Sequence, residues 1–279
     1  LLSKYMSLLL EAPIAGKPSE AFSASIQQLQ LSLVRAFTLL PLGASDSKCK
    51  KAFLKLCTLS FQASNVHVPR SSLLRHMLND MDSSLGPWYH GYDDMEDELA
   101  AFEGSLYAPN LSFDTEEGLQ TVFHYAVSTE TALLNASIKL IQRMFCHLKA
   151  KEQKYVLELI IHSMKSALQL GRSERKRHHR ETIFTNSACA LLGLLHSLEK
   201  ASGNKDVIQN TVNLMLPCAK MLLEEGIYDT AFVRASAEIA AGACHFGGEK
   251  LAKSLVKSLC QEDLGACTSD SIKGLILWL

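Results

Sequence analysis

Four groupings hold side chains that could transfer a proton, attack a carbonyl or bind a metal: Cys146-His147, His178-His179, Cys244-His245, and Glu116-Glu117 with His124. A thiol beside an imidazole is the material of nucleophilic catalysis, and a carboxylate with a histidine that of acid–base work. Spacing works against all four. Neighbours on a helix point about 100° apart, so adjacent residues do not share a face. No Cys, His or Asp set with ligand spacing surrounds His178-His179. Glu116, Glu117 and His124 fall on a predicted helix with no cleft implied. Gly16-Lys17-Pro18 lacks the upstream glycine and the Ser/Thr of a phosphate-cradling loop, and neither a dinucleotide fingerprint nor HExxH occurs. The expectation is a chain that is not an enzyme, with no catalytic residue, cofactor, metal or small-molecule substrate.

Two charged stretches offer binding chemistry instead. Arg172, Arg175, Lys176, Arg177 and Arg180, interleaved with His178 and His179, form a basic run expected to be a loop between two helices. It suits nuclear import, a phosphate or an acidic partner. Thr182 beside it is a candidate phosphorylation site. The second stretch combines Trp88, Tyr89 and Tyr92 with Asp93, Asp94, Glu96, Asp97 and Glu98, an aromatic–acidic set suited to docking a partner. These thirteen aromatic and charged residues are the candidate partner-binding residues. The two stretches could also meet each other.

At 47% hydrophobic over 279 residues the chain can bury a large core. Its net charge of −1 gives no bulk attraction for nucleic acid or anionic membrane, so other proteins, or other segments of the same chain, are the expected partners. No run reaches the ~18 apolar residues of a membrane span, and residues 1–10 lack a signal-peptide cleavage pattern. Eight cysteines stand singly, mostly at apolar helical positions, which points to a reducing compartment, cytoplasm or nucleus. Asn110-Leu111-Ser112 and Asn135-Ala136-Ser137 match a glycosylation acceptor that such a compartment leaves unused. The start at Leu1 and the apolar end Ile276-Leu277-Trp278-Leu279 read as a piece of a longer polypeptide.

Strand signals are nearly absent and helical periodicity dominates. Helices are expected over Ser19–Leu40, from a cap at Asp46 or Ser47 to about Ala63, and from Pro69-Ser71 onward through Leu74, Met77, Leu78 and Met81. From Asp114 they follow at Thr115–Ser128, Thr131–Leu148, Lys151–Leu170, Glu181–Glu199, Lys205–Glu225 (with Pro217 expected to kink it), Tyr228–Phe246, Gly248–Cys260 and Ser269–Leu279. Alternate helices superpose with Ser137, Ala188, Ser236 and Ser271 at one position, at spacings of 51, 48 and 35 residues. Two residues earlier stand Asn135, Asn186, Arg234 and Ser269, all polar. Two later stand Lys139, Ala190, Glu238 and Lys273. This recurring edge is expected to face solvent, with Ala190 making its helix the most buried.

In Tyr228–Phe246, Asp229 is the expected N-cap and Gly247-Gly248 the stop. Its string Asp229-x-x-x-Val233-Arg234-x-x-Ala237-x-x-x-Ala241-Gly242 resembles the second helix of a HEAT repeat. The resemblance implies an all-α, HEAT/armadillo-like α-solenoid of stacked antiparallel helix pairs. Residues 1–82 form one helical segment, 83–113 a long irregular connection, and 114–279 continue the repeats. The function it implies is a protein-binding scaffold within a large intracellular assembly, possible settings being membrane traffic and cytoskeletal regulation. The alternatives are the regulatory solenoid of a giant kinase-like enzyme or GTPase regulator, and a nuclear nucleic-acid-associated factor.

Overall fold

The computed structural model describes residues 28–32, 34–35, 47–61, 68–74, 77–78, 129–170, 173–200, 205–226 and 229–248. Among them the chain is helical, with no strand. Helix α1 spans Ser47–Phe61. Helix α2, Thr129–Met144, tightens into a 3₁₀ turn at Phe145–His147. Then come α3 (Ala150–Leu168), α4 (Glu174–Lys200), α5 (Lys205–Glu225) and α6 (Thr230–Gly247). Residues 28–32, 34–35, 73–74 and 77–78 are also helical. The connection 83–113 and the helices expected at 115–128 and 269–279 lie outside the described residues, as does the helix expected from Gly248 to Cys260 beyond Gly248 itself.

Local chemistry explains the helix ends. Asp229 caps α6: its Oδ1 accepts the Ala231 N–H at 2.9 Å. Gly248 stops it at φ 76°, a conformation suited to glycine, and donates its N–H to Cys244 O at 2.9 Å. At the start of α3 the Lys149 N–H reaches Glu152 Oε2 at 2.8 Å, half of a capping box. Helix α5 runs through Pro217, which sits at an exposed position. Helix α4 starts seven residues earlier than expected. The basic run is therefore helix, not loop. The Arg177 N–H bonds Ser173 O at 2.9 Å, and Arg177 Nε pairs with Glu181 one turn on at 2.8 Å.

The helices sort into two rows. In one, α2 packs on α4 and α4 on α6; in the other, α1 packs on α3 and α3 on α5. The rows join through α1 with α2, α3 with α4, and α5 with α6. Contacts inside the first row follow the register read from the sequence. A Cβ on Gly193 would collide with Gln142 Cγ, 51 residues earlier. The rings of Phe184 and Phe232, 48 residues apart, lie 6.0 Å from centroid to centroid. Helix α4 is the spine: residues 184–195 are buried without a break, around Ala190. Phe53, Phe145, Phe184, Phe232, Ile138 and Leu140 lie in one continuous core.

Cys57, Cys189 and Cys218 are buried free thiols in that core. Burial raises the Cys218 thiol from its ordinary 9.0 to about 12, partly offset by Lys165, and burial raises Cys57 as well. Both stay protonated while the fold holds. An unfolded thiol ionises near its ordinary pKa, so their contribution to stability falls as pH rises past 9.0. Alkylation mapped by mass spectrometry at pH 8 is expected to spare Cys57 and Cys218 in the native chain and to modify both in denaturant. Ala237, 2% exposed, leaves no room for a charge. Ala237→Asp is expected to lower stability by at least about 3 kcal/mol, measured by urea unfolding.

Candidate partner-binding surface

The recurring polar edge of α2, α4 and α6 does not face water. Asn135 and Asn186 are buried, Lys139 is 5% exposed and Glu238 2%. Arg234 is half-buried. The expectation failed because another part of the chain lies over this edge. Residues 68–74 and 77–78 cross the row, with Ser71, Leu73, Leu74, Met77 and Leu78 buried against it.

The polar residues at the shared register position hold this strap. Asn186 on α4 uses both halves of its amide on main chain. Its Oδ1 accepts the Ser71 N–H at 2.7 Å and its Nδ2 donates to Pro69 O at 3.1 Å. Asn135 on α2 accepts the Ser71 hydroxyl and donates to Ser72 Oγ at 2.9 Å. Arg234 on α6 donates to Leu78 O at 2.8 Å. Ser71 Oγ in turn accepts the Leu73 N–H at 3.2 Å, opening the helical turn that follows. Buried polar groups are costly unless paired, and here strap and row pair each other.

Arg70 ties the strap to α4 and to the start of α6. Its Nε donates to Thr185 Oγ1 at 2.9 Å, and Nη2 reaches Asp229 Oδ2 at 3.1 Å. Glu181 lies 3.7 Å from Nη1. Asp229 thus caps α6 with one oxygen and binds Arg70 with the other. The Arg70 side chain is 43% exposed, so these pairs set register more than they add stability.

Beside the strap, Val68, Phe61, Ile183, Ser60, Ser163 and Ser187 help line a small recess of about 10 Å³, with His179, Thr182 and Asn186 completing it. The Ser163 hydroxyl donates to Phe61 O and the Thr182 hydroxyl to His178 O, at 2.9 Å for the latter. The recess shows no acid–base pair or metal set. Among the described residues no three His, Cys, Asp or Glu side chains converge. Cys146 Sγ turns to Arg143 O at 3.9 Å, while His147 is exposed. His245 stacks edge-on to Phe246 at 5.0 Å.

Of the residues singled out for partner binding, Arg175, Lys176 and Arg177 are exposed on the first turns of α4. Arg180 is not on that surface. Its guanidinium forks onto both oxygens of the buried Glu225 carboxylate, tying α4 to the end of α5. Trp88, Tyr89, Tyr92, Asp93, Asp94, Glu96, Asp97, Glu98 and Arg172 lie outside the described residues. The strap contacts Pro69, Arg70 and Ser71 were missed. The cue in the sequence was Asn135 and Asn186 recurring in otherwise apolar helices. No described helix is long and apolar enough to cross a membrane.

Comparison with known proteins finds no matching family model, no matching curated protein and no matching solved structure.

Replacing Asn186 with alanine strips partners from Ser71 N–H and Pro69 O together. Asn186→Ala is expected to cost about 1–3 kcal/mol in urea unfolding and to raise amide exchange at Ser71. A variant at the exposed Gln209 serves as the neutral comparison.

Proposed function

We propose that this chain is a non-enzymatic protein-binding scaffold segment, built as a HEAT/armadillo-like α-solenoid whose α2–α4–α6 row recognises extended polypeptide. The observation that carries the reading is Asn186, whose amide pairs with the main chain of Pro69 and Ser71 on both sides of one residue. A side-chain amide used this way reads backbone, so it can hold an extended segment with little regard to its sequence. At the same register on the flanking helices, Asn135 holds the Ser71 and Ser72 hydroxyls and Arg234 the Leu78 carbonyl. Supporting the solenoid reading are the two rows and the spacings of 51 and 48 residues between equivalent contacts. Such an architecture presents a long continuous surface on which partners, or other segments of the same chain, are arranged. The aromatic–acidic residues Trp88 to Glu98 and the exposed cations Arg175, Lys176 and Arg177 add charged contact surfaces to it.

The test uses the strap as a probe. In the full chain, Ser71→Ala with Ser72→Ala loosens the strap while leaving Asn135, Asn186 and Arg234 in place. A labelled peptide of residues 66–78 is expected to bind this variant in a fluorescence-anisotropy titration. Adding Asn135→Ala and Asn186→Ala should weaken that binding at least about tenfold, the equivalent of 1.4 kcal/mol. Failure of the peptide to bind at millimolar concentration, with the variant still folded by circular dichroism, would overturn the reading.

A further inference from the structure

Charge is divided unevenly along this chain. Between Arg75 and Lys139 there is no Lys or Arg, yet twelve of the 29 acidic residues lie there. The rest of the chain holds 28 basic against 17 acidic residues. The overall −1 is therefore the difference between a segment of −12 and a remainder of +11.

The described helices fix where that acidic segment leaves and returns. It leaves after Leu78, which Arg234 holds on α6, and returns at Thr129, where α2 starts. Helix α2 starts six residues before Asn135, α6 four before Arg234, but α4 twelve before Asn186. At ~1.5 Å per residue, α4 overhangs its neighbours by about 9–12 Å at the end where α2 begins. The overhang carries Arg175, Lys176, Arg177 and His178, all exposed. Arg177 and His178 lean on Glu181, at 2.8 and 3.6 Å. Arg175 and Lys176 enter no ion pair with a described residue. Glu174 at the first position suits the helix dipole, but the three cations that follow it oppose it, so a further anionic neighbour favours the overhang.

We propose that the occupant of this overhang is the acidic run of the same chain, Asp93 to Glu98. Fourteen residues separate Leu78 from Asp93, and fully extended they span up to about 50 Å. The overhang is about one helix spacing from α6 and a few turns along α4, well inside that reach. Tethering at both ends holds the run at an effective concentration of order millimolar, which favours pairing within one chain over pairing between chains. The pairing does not depend on the scaffold reading, because both partners belong to one molecule.

Zero-length carbodiimide cross-linking of the full chain, with peptide mapping, tests it. Lys176 is expected to cross-link to the Asp93–Glu98 run in a product of monomer size, several-fold more than Lys151 or Lys154, which are exposed on α3. The yield should fall several-fold in Arg175→Gln with Arg177→Gln. It should fall likewise in about 0.5 M salt, where the screening length shortens to roughly 4 Å. Cross-links found only in dimer-sized products would overturn the proposal in favour of a second copy as occupant. A Lys176 yield no greater than that of Lys151 and Lys154, or one indifferent to both perturbations, would overturn it outright.

Discussion

A polar side chain inside an apolar helix face must find a partner or stay wet, and the packing of this protein depends on how it meets that demand. Asn135, Asn186 and Arg234 stand where three helices of one row share a face. Left dry and unpaired, each would cost more than a buried leucine contributes. The strap meets them with the groups they require: a carbonyl and an N–H for Asn186, two hydroxyls for Asn135, a carbonyl for Arg234. The strap gains equally, since an irregular segment carries main-chain groups with no helix to satisfy them. Its Leu73, Leu74, Met77 and Leu78 then extend the core over the row.

Helix α4 is where the remaining constraints converge. It touches both rows, and its buried middle accepts neighbours at close range: a side chain on Gly193 would displace Gln142 of α2. Its first half is tied outward by Arg180 to Glu225 and, through Glu181 and Thr185, to Arg70. The Arg180–Glu225 pair is fork to fork and mostly dry. Losing one partner would strand a buried charge, which is a stronger constraint than the pair's net worth. Gly226 plays the matching part at the α5–α6 turn, where any Cβ would meet Val233.

The helices themselves were legible. Lys205–Glu225 was read with both ends in place, and the cap at Asp229 followed from one residue type at one position. The register was legible too, because buried faces repeat and 51 and 48 residues bring like positions together. What the sequence could not reveal was the direction the polar edge faces. Asn135, Asn186 and Arg234 look the same whether water or a distant segment satisfies them, and the satisfying groups stand 63 to 156 residues away in the chain. The start of α4 was misread for a related reason. A dense basic run looks like a loop until the Ser173 carbonyl and Glu181, one turn along, are seen to carry it as helix.

The strap also imposes an order of events on synthesis. It is made before any helix of the row it lies on, and its partners on α4 and α6 follow 115 to 159 residues later. A chain growing at about 5–20 residues per second leaves those groups unmet for roughly 6–30 s. In that interval the Ser71 N–H, the Pro69 carbonyl and the Arg70 guanidinium stay open to any other chain nearby. Sequence separations of this size raise contact order and slow the final docking step. The closing act of folding is therefore the return of the strap onto helices made after it.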